Sequence, residues 1–333
     1  MNTTDTALSA VIDSALHAAI RAPSVHNTQP WLFVVTPPYI ELHLDRDRVL
    51  AVADPDAREA QLSCGAALFN LAAAVRAADR DVVTELLPDP DRPDLLATVR
   101  VGAYRPASPE LRSLASAVDR RATNRRPFSE RPVPPNHRHI LTGAAQAGGA
   151  HLALLDTPRH LEIFAGLLRR ADHLQEDDPD FQQELIGWTT DEAGRADGVP
   201  LVAGGPRPVD GTLLKLRRYH PGTTGNPREY EQEPLVAVLT SPGDTVLDRL
   251  AAGGAMQRVL LSATAAGLSV SFLSQPIEVP HIRTALRNLI GGPHHPQTVL
   301  RIGYGHPTAR TPRRPVADVT TYPSGVAIAD GSS

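Results

Sequence analysis

Arginine side chains and one hydroxyl recur at alternate positions in a basic segment of this 333-residue chain. In an extended backbone, Arg121, Thr123 and Arg125 share one face, so two guanidinium groups and a hydroxyl point the same way. Guanidinium groups bind phosphate oxygens through paired, charge-assisted hydrogen bonds. We therefore predict that this face binds a phosphate, with Arg313 or Arg314 reaching the same place. The alternative is a set of solvated or salt-bridged surface arginines.

A second group of polar residues follows the first predicted helix, which covers residues 5–20. This segment reads Pro23, Ser24, Val25, His26, Asn27, Thr28, Gln29, Pro30 and Trp31. It offers a hydroxyl, an amide that both donates and accepts, and free backbone N–H groups beyond the helix end. Such a mixture suits a ligand that presents both hydrogen-bond donors and acceptors. His26 either binds this ligand, lines its pocket or is structural, whereas Trp31 is expected in the core.

The elements that must position these residues occur twice along the chain. The predicted helices and strands are 31–35, 39–44, 60–78 and 99–106 in the first copy, and 135–147, 151–155, 254–267 and 300–307 in the second. Gly65 and Gly254 open matching helical runs, so we align these two glycines. Only the first copy has the 22–31 segment and only the second has the basic 120–128 segment. We therefore expect one site rather than two.

This duplication suggests a division of the chain into two modules. We assign residues 1–110 to the first module and residues 111–322 to the second. The second module contains a large insertion at about 158–234, which the first module lacks. Residues 323–333 read as a flexible tail.

Taken together, these segments resemble the flavin-binding elements of the nitroreductase superfamily. The resemblance rests on the 22–31 segment, the basic segment ending in Phe128, and Ser274, Gln275, Pro276, Ile277 and Glu278. The Ser-x-His-Asn opening, the fused modules and the Asp-Gly-Val-Pro turn at 197–200 resemble more narrowly the Acg-like flavoproteins of actinobacteria. The resemblance implies an α+β nitroreductase-like fold in which one chain imitates the family's homodimer, as a monomer or a weak homo-oligomer.

The same resemblance implies a single flavin mononucleotide (FMN) between the modules. Its phosphate would contact Arg121, Thr123 and Arg125, and its ring would contact the segment from Pro23 to Gln29. Residues 274–278 would approach the flavin N5, although Val279 stands where the family often has glycine.

The insertion is expected to border the substrate side of the flavin. The resemblance assigns this position to Trp188, Asp197 and Gly198, as parts of a lid in which Gly194 and Gly198 allow movement.

The implied activity is transfer of hydride from NADH or NADPH, through the flavin, to a nitroaromatic compound, a quinone or a similar acceptor. Because the cofactor does this chemistry, no side chain need be a catalytic acid or base. One alternative is a protein that sequesters FMN under its lid without turnover. A flavin-free interaction protein is the third possibility.

Composition excludes several other functions. The net charge of -4 and the pI near 6.3 give no electrostatic argument for binding nucleic acid or an anionic membrane. Cys64 is the sole cysteine, and the pairs His137/His139 and His294/His295 lack metal-ligand spacing, so no metal site is expected. Without a leader or a long apolar run, we expect a soluble cytoplasmic protein.

Overall fold

The computed structural model describes residues 3–189, 192, 194–209, 211–219 and 226–323, so residues 324–333 of the expected tail lie outside it. The first copy contains α1 (Thr3–Ala19), β1 (Trp31–Thr36), β2 (Tyr39–Leu44), α2 (Arg58–Ala77), β3 (Arg80–Leu86) and β4 (Leu95–Tyr104). Short 3-10 turns lie at Val25–Asn27 and Arg46–Arg48, and α3 (Pro109–Ala117) leads to the second copy.

The second copy has the same succession of elements with more inserted between them. It contains α4 (Pro135–Ala147), β5 (His151–Leu155), α5 (Pro158–Glu176), α6 (Pro179–Gly187), α7 (Leu201–Gly204), β6 (Leu235–Ser241), α8 (Val246–Ala265), β7 (Ser269–Phe272), α9 (Gln275–Glu278), α10 (Pro280–Ile290) and β8 (His295–Gly303). The short elements α11 (Val316–Val319) and β9 (Thr320–Thr321) follow.

The two copies build two sheets with the same strand arrangement. One sheet has the order β3-β4-β2-β1-β9 and the other the order β5-β6-β8-β7. Strands β1 to β4 therefore correspond to β5, β6, β7 and β8, and each corresponding neighbour pair is antiparallel. This arrangement confirms the α+β fold of two fused modules. The insertion occupies the connection between β5 and β6. In the first copy, the equivalent connection between β1 and β2 is a tight hairpin turn. The borders of the modules stay a prediction.

Helices α2 and α8 cross at a contact between two glycines. A Cβ atom on Gly65 would collide with the carbonyl of Leu250, and one on Gly253 would collide with the carbonyl of Leu62. Gly65 and Gly253 are each the eighth residue of a 20-residue helix, so they are the matching pair. The alignment of Gly65 with Gly254 was therefore wrong by one residue, because the close approach requires the missing side chain at 253.

The segment after β8 crosses from the second module to the first. Strand β9 pairs in parallel with β1, so the segment after β8 returns to the first sheet and carries Arg313 with it. The basic segment lies at the edge of the second sheet, where Thr123 pairs with Val270 of β7. The two cationic segments identified from the sequence therefore approach the module interface from opposite modules. Within the part of the chain that the structure describes, no helix is both long and apolar enough to cross a membrane.

The helix crossing makes a stability prediction. Gly65→Ala should lower the free energy of unfolding by about 1–3 kcal/mol, because the added methyl group overpacks the contact with Leu250. Gly166→Ala, in open space on α5, is the matched control and should instead raise stability by roughly 0.5–1 kcal/mol, as alanine favours a helix interior. Urea denaturation of the three proteins measures both effects; equal stability of the two variants would contradict the contact.

Candidate functional site

The turn between α1 and β1 has an uncommon backbone. His26, Asn27 and Gln29 have φ angles of 45°, 60° and 55°, in the left-handed region that side chains with a Cβ seldom adopt. The Ser24 hydroxyl oxygen accepts the backbone N–H of Gln29 at 2.9 Å and closes the turn. Strained backbone of this kind persists when surrounding contacts fix it, and it is concentrated at functional sites.

Asn27 is one of those contacts. Its amide nitrogen donates to the carbonyls of Gly198 (3.0 Å) and Pro312 (3.1 Å), and its amide oxygen accepts from Arg313 (2.7 Å). Both ends of this side chain are thus bonded to protein, rather than presented to a ligand. Asn27 joins the turn to the insertion and to the carboxyl-terminal segment.

Gln29 has the same role. Its amide nitrogen donates to the carbonyl of Ala196 at 2.9 Å, and its oxygen accepts the backbone N–H of Arg314 at 2.9 Å. The Arg314 guanidinium points elsewhere and pairs with Asp45 at 3.4 Å. Of the two candidate arginines near the carboxyl end, the structure therefore places Arg313, and not Arg314, beside the basic segment.

Four arginines converge at the start of the basic segment, and we call them the arginine cluster: Arg21, Arg121, Arg310 and Arg313. They line one cavity together with Thr123. Burial and, after it, the charges of Arg125 and Arg310 together lower the pKa of Arg121 to about 10. Burial also lowers the pKa of Arg313 to about 9, with Arg121 and Arg21 adding to the effect.

The cluster has hydrogen-bond donors to spare. The Nε atoms of Arg121 and Arg313 are buried and have no partner among the described residues. Neither guanidinium has a carboxylate within 4.0 Å in that part of the chain, and Arg121 makes only weak contacts at 3.5 Å. Arg120 is exposed and bonds the Ser116 carbonyl, so Arg121 is the residue that points inward. Buried like charges without counter-ions are the arrangement of an anion site.

A cleft of about 480 Å³ begins where the cluster ends, and Thr123 lines both. Its walls come from both modules: Pro23, Ser24, Val25, His26, Glu59, Leu62, Ser63, Thr123, Arg125, Tyr219, Met256, Phe272, Ser274 and Thr298. The polar turn, the basic segment and the helix crossing therefore meet at one concave surface.

His26 is a neutral hydrogen-bond donor in this cleft. Its Nε2 lies 3.0 Å from a guanidinium nitrogen of Arg217, which can only donate, so the ring proton resides on Nδ1. That Nδ1 is buried without a partner among the described residues. Burial and, after it, the adjacent Arg217 charge together lower the pKa of His26 to about 3.

Glu278 is ionised and paired. It is almost fully buried in an ion pair with Arg217, and Gln175 also donates to it. Although burial opposes ionisation, Arg217 and these hydrogen bonds hold the pKa of Glu278 below its usual value. Arg217 thus links His26 of the first module to Glu278 of the second.

Only part of the 274–278 segment reaches the cleft. Ser274 lines it, whereas the Gln275 side chain donates to Asp172 at 3.2 Å beneath α9. Pro276 and Ile277 are buried, and Ile277 belongs to the hydrophobic core of the second module.

Trp188, Asp197 and Gly198 are absent from the cleft wall. Trp188 packs, as Val25 does, against a small buried cluster that includes Phe181 and Leu185, and its carbonyl accepts the N–H of Val199 at 2.8 Å. Asp197 accepts from Arg48 at 2.8 Å. Gly198 has a φ of 71° and lies so close to the Trp188 carbonyl that a side chain would not fit. These residues brace the turn from behind and do not border the cleft.

A different part of the insertion covers the cleft. We call residues 204–209 and 211–219 the cover. Residues 204–208 and 216–219 of the cover line an adjoining cavity. Tyr219 separates the two cavities: its ring meets that of His26 edge-on at 5.9 Å, and the Arg125 guanidinium lies 4.5 Å from its centre. The sequence analysis missed Tyr219 and Arg217 because Gly- and Pro-rich segments carry no periodic signal.

Other cleft residues were missed for a different reason. Glu59, Leu62, Ser63 and Met256 lie on the crossing helices, where local sequence shows only an ordinary buried face. Their shared surface exists only once α2 and α8 have packed.

Comparisons with known proteins agree with this architecture. No family model matches the chain. A crystal structure from Anabaena variabilis, named provisionally as a nitroreductase, superposes with a TM-score of 0.50 over 92% of this chain and 90% of that one, at 11% identity. The fold is therefore the nitroreductase fold.

The curated relatives are closer in sequence. The Mycobacterium tuberculosis protein Rv3131, named provisionally as an NAD(P)H nitroreductase, is 33% identical over 94% of this chain and 91% of its own length. The Acg protein of the same organism, with the same provisional name, is 31% identical over 93% of this chain and 95% of its own. The chain belongs to this NAD(P)H nitroreductase family.

The buried ion pair makes a prediction that separates it from surface pairs. Glu278→Ala should lower the free energy of unfolding by about 3–5 kcal/mol, because it leaves the Arg217 charge buried and unpaired. Asp94→Ala, which removes the exposed partner of Arg46, is the control and should cost less than about 1 kcal/mol. Urea denaturation at neutral pH measures both; equal losses would show that the Glu278 pair is not desolvated.

Proposed function

We propose that this chain binds one FMN in the cleft and uses it to transfer electrons from NADH or NADPH to a nitroaromatic compound, a quinone or a similar acceptor. The observation that carries this proposal is the pair of buried arginines in the arginine cluster. Arg121 and Arg313 have no carboxylate within 4.0 Å among the described residues, although Arg21 pairs with Asp119 at 3.6 Å, and the cluster continues through Thr123 into the cleft. Membership of the NAD(P)H nitroreductase family supports it.

The cluster fits the phosphate of FMN. A phosphate monoester carries nearly two negative charges at neutral pH and offers three acceptor oxygens. Arg121 and Arg313 provide unpartnered Nε donors, and Thr123 provides a hydroxyl at the junction with the cleft. Such an anion would reduce the electrostatic repulsion among the guanidinium groups of the arginine cluster.

The cleft fits a flat, mostly apolar ring with a polar edge. Leu62, Met256 and Phe272 supply apolar surface, and the His26 Nδ1–H and the Ser24 hydroxyl supply polar groups. FMN, when bound, would supply the hydride chemistry. The chain's own residues would bind it, orient it and exclude water.

The second module offers no equivalent site. Eleven residues connect α1 to β1, whereas three connect α4 to β5, so the cofactor turn has no counterpart. In that short connection, a Cβ on Gly148 would lie 2.6 Å from Ala255 of α8, which means that the backbone closes the corresponding space. We infer one FMN per chain.

A second function is favoured by one observation: Tyr219 lies within the cleft opening, between His26 and Arg125. A cover fixed in this position would keep nicotinamide away from the flavin, since hydride transfer requires approach to about 3–3.5 Å. The protein would then sequester FMN rather than turn over.

The phosphate assignment is tested by a pair of neighbouring arginines. Arg121→Met should weaken FMN binding by about ten- to a hundredfold, because a charge-assisted hydrogen bond contributes roughly 1.5–3 kcal/mol. Arg120→Met, at the adjacent exposed position, should leave the affinity unchanged. Fluorescence titration with FMN gives both affinities and should saturate at one FMN per wild-type chain. Unchanged affinity in a folded Arg121→Met protein would exclude the cluster as the phosphate site.

Enzyme and storage protein are separated by anaerobic reduction. We expect NADH or NADPH to bleach the bound flavin, with dithionite as the control for redox competence. Tyr219→Ala should accelerate the bleaching if the cover opens only in part. Sequestration is the correct function under two conditions. Neither nucleotide bleaches the flavin of the wild type although dithionite does, and NADPH bleaches the flavin of the Tyr219→Ala protein.

A further inference from the structure

Glu59 forms part of the lining of two cavities. It is the second residue of α2 and only 6% exposed. On one side it lines the cleft. On the other side it lines a cavity of about 1170 Å³, which we call the outer cavity, together with Asp54, Arg58 and Glu278. A single buried carboxyl group thus forms part of the wall that divides the cleft from the outer cavity.

The hydrogen bonding of Glu59 leaves its carboxyl group free to carry a proton. Its Oε2 is buried and has no partner among the described residues, and its Oε1 lies 3.4 Å from the Arg58 guanidinium without a hydrogen bond. Arg58 instead donates to the carbonyl and amide oxygens of Gln297 at 2.8 and 3.0 Å. The Asp54 carboxyl group accepts hydrogen bonds from the backbone N–H groups of Glu59 and Ala60. Asp54, rather than the Glu59 side chain, therefore occupies the anion position at the N-terminus of α2.

The surrounding charges divide two buried carboxyl groups into one acid and one carboxylate. Burial, together with the negative charges of Glu278 and Asp54, raises the pKa of Glu59 to about 8 against the opposing effect of Arg58 and Arg217. Glu278 has Arg217 as a direct partner and stays ionised. Neighbouring carboxyl groups with separated pKa values identify the proton donor of a site.

We propose that Glu59 is the proton relay of the cleft, which donates its proton to the acceptor being reduced and recovers one from water in the outer cavity. The inference rests on the proposed function. For a quinone, NAD(P)H supplies a hydride, that is, two electrons and one proton. The second proton leaves Glu59 Oε2 for a quinone oxygen, and the products are NAD(P)+, a hydroquinone and the Glu59 carboxylate. Proton uptake from water restores the acid.

The other cleft residues do not compete for this role. The pKa of His26, lowered to about 3, means that no imidazolium proton is available near neutral pH, and a neutral imidazole does not release its remaining N–H in water. Arg125 bonds the Ala203 carbonyl and stays charged. Tyr219 also lines the cleft, but a phenol is ordinarily a far weaker acid than a carboxyl group. Among the titratable side chains that line the cleft, Glu59 is therefore the one suited to giving up a proton near neutral pH.

Rapid mixing of the FMN-loaded protein tests the relay. Glu59→Gln keeps the shape of the side chain but cannot release a proton. We expect reoxidation of the reduced protein by para-benzoquinone to slow by about a hundredfold or more, while reduction by NADPH changes less than about threefold. The wild-type reoxidation rate should fall as the pH rises through about 8. Glu85→Gln, at an exposed position on β3, is the control and should behave as the wild type.

A second measurement needs neither cofactor nor turnover. A carboxyl group whose pKa is raised by folding binds more protons in the folded state between its unfolded pKa of about 4.3 and its folded pKa. Stability therefore falls as the pH rises through this window. We expect the melting temperature of cofactor-free wild type, relative to Glu59→Gln, to fall between pH 5 and pH 8. The infrared band of a protonated carboxyl should be present in the wild type at pH 6 and lost at high pH. Because this measurement uses the wild type alone, it does not require that the variant folds.

The outcomes distinguish this inference from the proposed function. A protein that binds no FMN would overturn the proposed function and the relay with it. A protein that binds FMN and is reduced by NADPH, but whose Glu59→Gln variant reoxidises at the wild-type rate, would overturn the relay alone. So would a Glu59 carboxyl that is already ionised at pH 6 by infrared spectroscopy.

Discussion

The crossing of α2 and α8 at Gly65 and Gly253 is the contact on which the rest of the molecule depends. Each glycine admits the backbone of the opposite helix, so the two modules share one hydrophobic core instead of meeting across a polar interface. The helices also form one wall of the cleft through Leu62, Ser63 and Met256. A small increase in the distance between them would change the shape of the cleft at the same time as the packing of the core.

The arginine cluster is the opposite kind of feature, since it lowers the stability of the fold that contains it. Arg313 is surrounded by neutral acceptors, including the carbonyls of Ala22 and Pro312 and the amide of Asn27. These dipoles compensate in part for the loss of hydration without cancelling the charge, so repulsion from Arg121 persists. A ligand that binds the folded state with a compensating charge shifts the folding equilibrium toward it by mass action. Affinity for an anion and stability of the apoprotein are therefore opposed in this design.

The sequence predicted the elements of the fold well, because they depend on local periodicity. The hairpin, the helices over 60–78 and 135–147, and the duplication are all visible in apolar spacing and turn residues. The residues that approach each other across the modules were harder to predict. Arg121 was identifiable because it alternates with Thr123 and Arg125 in one basic segment, which is a local pattern. Which of Arg313 and Arg314 joins them depends on the side-chain direction, which sequence does not encode locally.

The cover and the floor of the cleft could not be predicted, for two physical reasons. Arg217 and Tyr219 lie in an irregular segment whose position is set by tertiary contacts with His26, Arg125 and Glu278. Glu59 looks like the polar start of an amphipathic helix, and its burial follows from the docking of α9 and α10 nearby. Conversely, the conspicuous Asp-Gly-Val-Pro turn attracted a functional interpretation. Its glycine is explained instead by positive φ and by the close Trp188 carbonyl.

The return of the last segment to β1 gives the chain an order of assembly. Asn27 bonds Pro312 and Arg313 across sequence separations of 285 and 286 residues. During synthesis, the first turn therefore lacks part of its scaffold until residue 313 has emerged from the ribosome. Contacts of this range close late and slow the folding of a domain. Until then, the strained turn has only its local bonds and the contacts with residues 196 and 198, and the first sheet lacks its β9 strand.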